Sequence, residues 1–129
     1  MLSDTNVVAT LAVSDIEAAR RFYEGTLGLQ RAERQSSDPS AVLYRSGGST
    51  VLVYQSQFAG TNQATAASWG VGDDLEAVVE ELRSKGVSFE HYDMPGVSLD
   101  GDVHLIGDIK AAWFKDPDGN ILNLVNKSM

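Results

Sequence analysis

The sequence predicts an α+β fold made of two similar βαβββ halves. Three observations predict it. The hydrophobic period switches from strand-like to helix-like and back, and it does so twice in the same order. Asp15-Ile16-Glu17-Ala18 and Asp74-Leu75-Glu76-Ala77 lie 59 positions apart, each after a strand and at the opening of a helix. One βαβββ half cannot cover both faces of its sheet, so two halves must pair, within a chain or between chains. The expectation is a single domain over residues 1–129, with modules at about 5–57 and 65–127.

In the first half, Val7 to Val13 is apolar and β-branched, which suits a strand. Ser14-Asp15-Ile16-Glu17 follows as a capping box, with Ser14 placed to accept from the amide of Glu17. Ile16, Ala19, Phe22 and Tyr23 share one helical face, and Gly25 and Gly28 mark the exit. Three strands follow, at Leu29 to Gln35, Ala41 to Arg45 and Thr50 to Gln55. Asp38-Pro39-Ser40 and Ser46-Gly47-Gly48-Ser49 supply the turns between them.

The second half repeats the order. Thr65 to Val71 is strand-like, and Asp73-Asp74 can cap a helix whose apolar face is Leu75, Val78, Val79 and Leu82. Gly86 ends that helix and Val87 to Tyr92 reads as a strand. Met94 to Asp108 contains Pro95, Gly96, Gly101 and Gly107, and it reads as a long loop, a candidate lid over a ligand. Lys110 to Lys115 and Asn120 to Asn126 form a hairpin around Asp116-Pro117-Asp118-Gly119.

Composition narrows the partners. The chain has 129 residues, 43% of them hydrophobic and none of them cysteine, so disulfides and thiolate chemistry are excluded. A net charge of −8 disfavours a phosphate-backbone partner, because nucleic acids are bound by basic surface. No apolar run approaches the length that spans a bilayer, and Met1 to Asn6 lacks the pattern of a signal peptide. The expectation is a cytoplasmic protein with no nucleic-acid or membrane partner. Ser46-Gly47-Gly48-Ser49 lies between strands and not before a helix, so it is no phosphate-binding loop.

Val13-Ser14-Asp15-Ile16-Glu17-Ala18-Ala19-Arg20-Arg21-Phe22-Tyr23, followed by Leu27-Gly28-Leu29, resembles the first strand and helix of glyoxalase and bleomycin-resistance proteins. Trp113-Phe114-Lys115-Asp116-Pro117-Asp118-Gly119-Asn120 resembles the last hairpin of the same vicinal oxygen chelate superfamily. The resemblance spans nearly the whole chain. It implies two modules that form curved mixed sheets around a cavity, and a homodimer that completes its cavities with both subunits.

The resemblance also implies a divalent metal held by His, Glu or Gln side chains on the first and last strands of each half. Those four positions fall here on Val8, Val53 (or Leu52), Ala66 and Asn123. Two valines and an alanine have no lone pair to give, and one neutral amide binds a divalent ion feebly. A shift of one residue gives Val7 or Ala9, Leu52 or Tyr54, Thr65 or Ala67, and Leu122 or Leu124, which are no better. No cofactor is therefore expected. Some members of the superfamily bind an organic molecule without a metal, and bleomycin-resistance proteins sequester a drug this way.

Strand alternation sketches the cavity. Val8 and Thr10, Val53, Ala66 and Ser68, and Ile121 and Asn123 are the candidate ligand-binding residues. Pairing across Pro117-Asp118 is expected to set Phe114 opposite Ile121 on the same face, with Trp113 turned to the helices beside Leu122. Plain core packing produces a similar pattern. His91 and His104 lack metal spacing and fit a surface or rim role. The function expected is metal-independent binding of a largely apolar small molecule, with antibiotic sequestration as one form of it. The alternative is a lyase, isomerase or dioxygenase with a relocated or absent metal.

Overall fold

A computed structural model describes residues 1–128. The chain divides into two compact units, Met1–Thr61 and Asn62–Met129.

In the first unit, β1 (Ala9–Val13) leads into α1 (Ile16–Arg20). Asp15 and not Ser14 caps this helix, its carboxylate accepting from the amides of Glu17 and Ala18 at 3.0 and 3.2 Å. Such a cap stabilises the helix by about 1 kcal/mol. The helix widens at Arg21–Thr26 into a π-helical turn, which Gly28 leaves with φ +73°. β2 (Gln30–Arg31), β3 (Ala41–Ser46) and β4 (Ser49–Gln55) complete a sheet of order β1-β4-β3-β2, with β1 parallel to β4. The strand expected over Leu29 to Gln35 pairs at only two residues. Beyond Arg31, Gln35 caps the sheet instead, donating to the carbonyls of Ala32 and Leu43 and accepting from the Leu43 amide.

Paired residues share a sheet face. Leu11 pairs with Val53, Val42 with Val53, and Tyr44 with Val51, and all five are buried. This face carries α1 and the π-helical turn, because Tyr23 stacks on Tyr44 at 6.2 Å and the Tyr44 hydroxyl donates to Glu24 at 2.7 Å. Burial, then the bond to Glu24, pushes the Tyr44 phenol far above its usual range.

In the second unit, β5 (Thr65–Gly70) is followed by a 3₁₀ turn at Gly72–Asp74 that runs straight into α2 (Leu75–Ser84). Asp74 holds the cap position without a side-chain cap bond. Then come β6 (Phe89–Glu90), β7 (Ser98–Asp100), β8 (Val103–Ile106), β9 (Ile109–Lys115) and β10 (Ile121–Val125). The sheet order is β5-β10-β9-β8-β7, with β6 also on β9 and with β5 parallel to β10. The segment Met94 to Asp108 is thus no long loop. It holds the β7–β8 hairpin, turned at Gly101 with φ +61°. Gly101 and Gly107, which read as loop residues, are hairpin turns, and Gly96 lies in the turn that leads into β7.

Lys110 reaches Glu76 of α2 at 3.2 Å, so the face of β9 that carries Lys110, Ala112 and Phe114 is the helix side. Ala112, Phe114, Leu122 and Leu124 are buried there, and α2 turns Leu75, Val79 and Leu82 inward. Truncating a core residue such as Phe114 to alanine costs about 3–5 kcal/mol.

Candidate functional site

The last hairpin decides which side chains line the helix-free face of the second sheet. Asp116 is buried and fixes the turn by accepting from the amides of Asp118 and Asn120 and from the Asn120 side chain at 2.7–2.9 Å. The register that results pairs Phe114 with Leu122, Trp113 with Asn123, and Lys115 with Ile121. It is one residue off the expected pairing, and a slip of one exchanges the two faces. Phe114 therefore lies on the helix side, and Trp113 takes the place expected of it.

On that helix-free face Trp113 is the centre of a cluster. Its indole N–H donates to the Thr65 hydroxyl at 3.2 Å. Its ring packs nearly perpendicular to those of Tyr92 and His104, with centroids 5.6 and 4.9 Å away. His104 is fully buried on β8, not on a loop or rim as its neighbouring glycines suggested. Its Nε2 accepts the backbone N–H of Tyr92 at 2.9 Å. An amide can only donate, so the neutral ring carries its proton on Nδ1. That Nδ1 and the Tyr92 hydroxyl are both buried without a partner among the described residues. Burial, then the Glu90 carboxylate, pushes the Tyr92 phenol up, so it keeps its proton at neutral pH. A pocket of about 270 Å³ opens at this cluster, lined by Thr65, Tyr92, Met94, Trp113 and Ile121 with Gln63 and Ala64 at its side.

The other sequence-derived candidates fall as follows. In the first unit, Val8 immediately precedes β1 and is 37% exposed. Thr10 is exposed and pairs with Leu52, its hydroxyl donating to the Val8 carbonyl. Val53 pairs with Leu11 and is wholly buried on the helix side, so the helix-free face of β4 is that of Leu52 and not of Val53. In the second unit, Ala66 sits at an irregularity between β5 and β10, and Ser68 pairs with Asn123. Asn123 is buried, and its amide nitrogen donates to the carbonyls of Ala112 and Leu124 at 3.2 and 3.3 Å. Ile121 lines the pocket.

The residues at the inherited metal positions do not fit a metal. Neither Val8 nor Val53 or Leu52 in the first unit has a donor atom, and in the second only Asn123 has one. Among the described residues no group of three His, Asp or Glu is placed to hold an ion elsewhere. His91 pairs with Asp102 at 2.7 Å, and Asp102 also takes Arg83 of α2. Arg83 first, then His91, holds the Asp102 carboxyl below its usual range. This array ties α2 to the β7–β8 turn. Among the described residues no helix is long and apolar enough to cross a membrane.

Sequence reasoning missed Trp113, Tyr92 and His104 as neighbours. The signal available was Trp113 itself, and a correct register for the last hairpin would have turned it to this face.

Residues 6–124 match the family model described as the Glyoxalase/Bleomycin resistance protein/Dioxygenase superfamily. No curated protein matches the chain in sequence. Among solved structures, the glyoxalase family protein from Enterococcus faecalis is similar at 20% identity and a TM-score of 0.71, covering 97% of this chain and 99% of that one. The fosfomycin resistance protein from Mesorhizobium loti is similar at 15% identity and 0.66, covering 98% and 94%. The lactoylglutathione lyase from Agrobacterium tumefaciens is similar at 15% identity and 0.64, covering 94% and 92%. At these identities the likeness is one of fold.

Proposed function

Since the chain belongs to the Glyoxalase/Bleomycin resistance protein/Dioxygenase superfamily, we propose that it binds a small, largely apolar organic molecule without the superfamily's metal. One observation carries this reading. Three of the four inherited donor positions hold side chains that cannot ligate and the fourth only a neutral amide, while an aromatic pocket of about 270 Å³ opens beside Trp113. Apolar contact supplies affinity in such a pocket and a few polar groups supply orientation. In the second unit the candidate ligand-binding set is then Thr65, Tyr92, Trp113 and Ile121, with Ala66, Ser68 and Asn123 retained from the sequence pattern, and for the first unit that pattern gives Val8 and Thr10 separately. Sequestration of an antibiotic is the finer form of the proposal. The fosfomycin resistance protein supports it by fold alone.

The runner-up is an enzyme of the lyase, isomerase or dioxygenase type with a relocated metal. The likeness to a lactoylglutathione lyase and the His91–Asp102 pair favour it. Against it stands the Asp102 carboxylate, already held by Arg83.

The test is a thermal-shift screen of bleomycin, fosfomycin and planar aromatic antibiotics, with and without a chelator, on wild type and Ile121→Trp. A bound compound is expected to raise the melting temperature equally with and without chelator. Ile121→Trp, which fills the pocket, should abolish that shift while preserving the circular dichroism spectrum. Stoichiometric metal after dialysis, with binding lost on chelation, would instead establish the enzyme reading.

A further inference from the structure

The pocket beside Trp113 specifies more about its occupant than apolar character. Its lining contains no carboxylate, amine or guanidinium. A charged ligand would find no countercharge in this open lining, which favours a neutral occupant. At about 270 Å³ the space falls just below the roughly 300–1,000 Å³ usual for drug-sized ligands, room for a group of one or two fused rings.

The polar groups of the pocket have their roles divided in advance. The Trp113 indole N–H is spent on the Thr65 hydroxyl, so Trp113 offers its ring face and not its N–H. Thr65 accepts in that bond and keeps its own proton to donate. Tyr92 also carries a proton, and its hydroxyl is buried with no partner. A hydroxyl stripped of water and given nothing in exchange destabilises the free protein. Tyr92 lines the pocket, and a turn of its side chain, which would give up no hydrogen bond, is what the hydroxyl would need to reach a ligand. Both hydroxyls have a proton to donate, so an acceptor on the ligand would satisfy either. We propose, resting on the ligand-binding reading above, that this pocket takes a neutral, flat molecule presenting a hydrogen-bond acceptor. Trp113 is its stacking face, and the Thr65 and Tyr92 hydroxyls are its donors.

Three probes of one shape separate the possibilities: naphthalene has no acceptor, quinoline has a ring nitrogen, and N-methylquinolinium replaces the acceptor with a charge. Each is titrated at pH 8 into ¹⁵N-labelled protein, and the Trp113 indole N–H resonance, assigned with Trp113→Phe, is followed. Quinoline is expected to bind about fivefold tighter than naphthalene, the worth of one ordinary hydrogen bond. Tyr92→Phe and Thr65→Val should each weaken quinoline toward the naphthalene value, and Tyr92→Phe should leave naphthalene itself unchanged. Tyr92→Phe removes a hydroxyl that has no partner, so its melting temperature should not fall, and it decides the matter alone if Thr65→Val does not fold. Equal binding of quinoline and naphthalene, or tighter binding of the cation, would overturn this ligand class while leaving the pocket as a binding site. Failure of all three probes to move the Trp113 resonance at millimolar concentration would remove the pocket reading as well.

Discussion

Asp116, Asn120, Asn123 and His104 are the buried polar side chains among the described residues, and they differ in how well they are satisfied. Asp116 and Asn120 satisfy each other and close the last turn. The Asn123 side-chain nitrogen donates to two carbonyls. His104 is satisfied at Nε2 only. We predict that His104→Leu, by stripping the Tyr92 amide of its acceptor, destabilises the protein by about 1–3 kcal/mol in urea unfolding. A value near zero would mean that Tyr92 N–H finds another partner. At this scale the sequence was legible in what it lacked. The missing donors at Val8 and Ala66 can be read from the letters alone. The cluster of His104, Tyr92 and Trp113 could not, because it is assembled by strand pairing between segments far apart in the chain, and one residue of register decides whether Trp113 or Phe114 joins it.

Elements with a strong local period were legible: β1, α1, β3, β4, α2 and the last two strands all lie where the apolar pattern puts them. The errors fall where local chemistry is ambiguous. A two-residue turn at Gly101-Asp102 and a loop rich in glycine look alike in sequence, and only the pairing of Ser98 with Leu105 and Asp100 with Val103 makes β7 and β8 a hairpin. The lid expected from that segment is accordingly a piece of sheet. A pair of glycine substitutions tests the hairpin. Neither Gly101 nor Gly25 has a neighbour within 4 Å of an added Cβ, but Gly101 has φ +61° and Gly25 does not have a positive φ. Gly101→Ala should cost about 1–2 kcal/mol for its left-handed backbone. Gly25→Ala, in the π-helical turn, should be neutral or stabilising by up to about 1 kcal/mol. Thermal unfolding of the two variants that gave the same shift would show that the hairpin turn is not held in this form.

Over the whole molecule, the internal repeat was the most legible feature, since Asp15-Ile16-Glu17-Ala18 and Asp74-Leu75-Glu76-Ala77 each stand at the head of a helix in its own unit. Symmetry of sequence did not extend to size. The second unit carries the extra β7–β8 pairing on its sheet edge. Oligomeric state belongs to this scale, and the sequence-derived expectation of a homodimer remains a proposal. It is supported by large apolar side chains left exposed in the first unit, Leu2 at 74%, Val7 at 90% and Phe58 at 67%. Light scattering at micromolar concentration is expected to give a mass near twice 13.9 kDa. A monomer mass would refute the dimer.

Parallel pairing of the first strand of each unit with its last has a consequence for how the protein is made. As the chain emerges from the ribosome, residues 9–13 stay unpaired until residues 51–55 follow them, and then the first sheet can form on its own. The second sheet is constrained more tightly. Residues 65–70 and 109–115 both hydrogen-bond to residues 121–125, the strand synthesised last and seated between them. Every other strand of that sheet is therefore made before the one that joins residues 65–70 to residues 109–115. In this interval two apolar edges stand bare to chaperones, or to a second nascent chain.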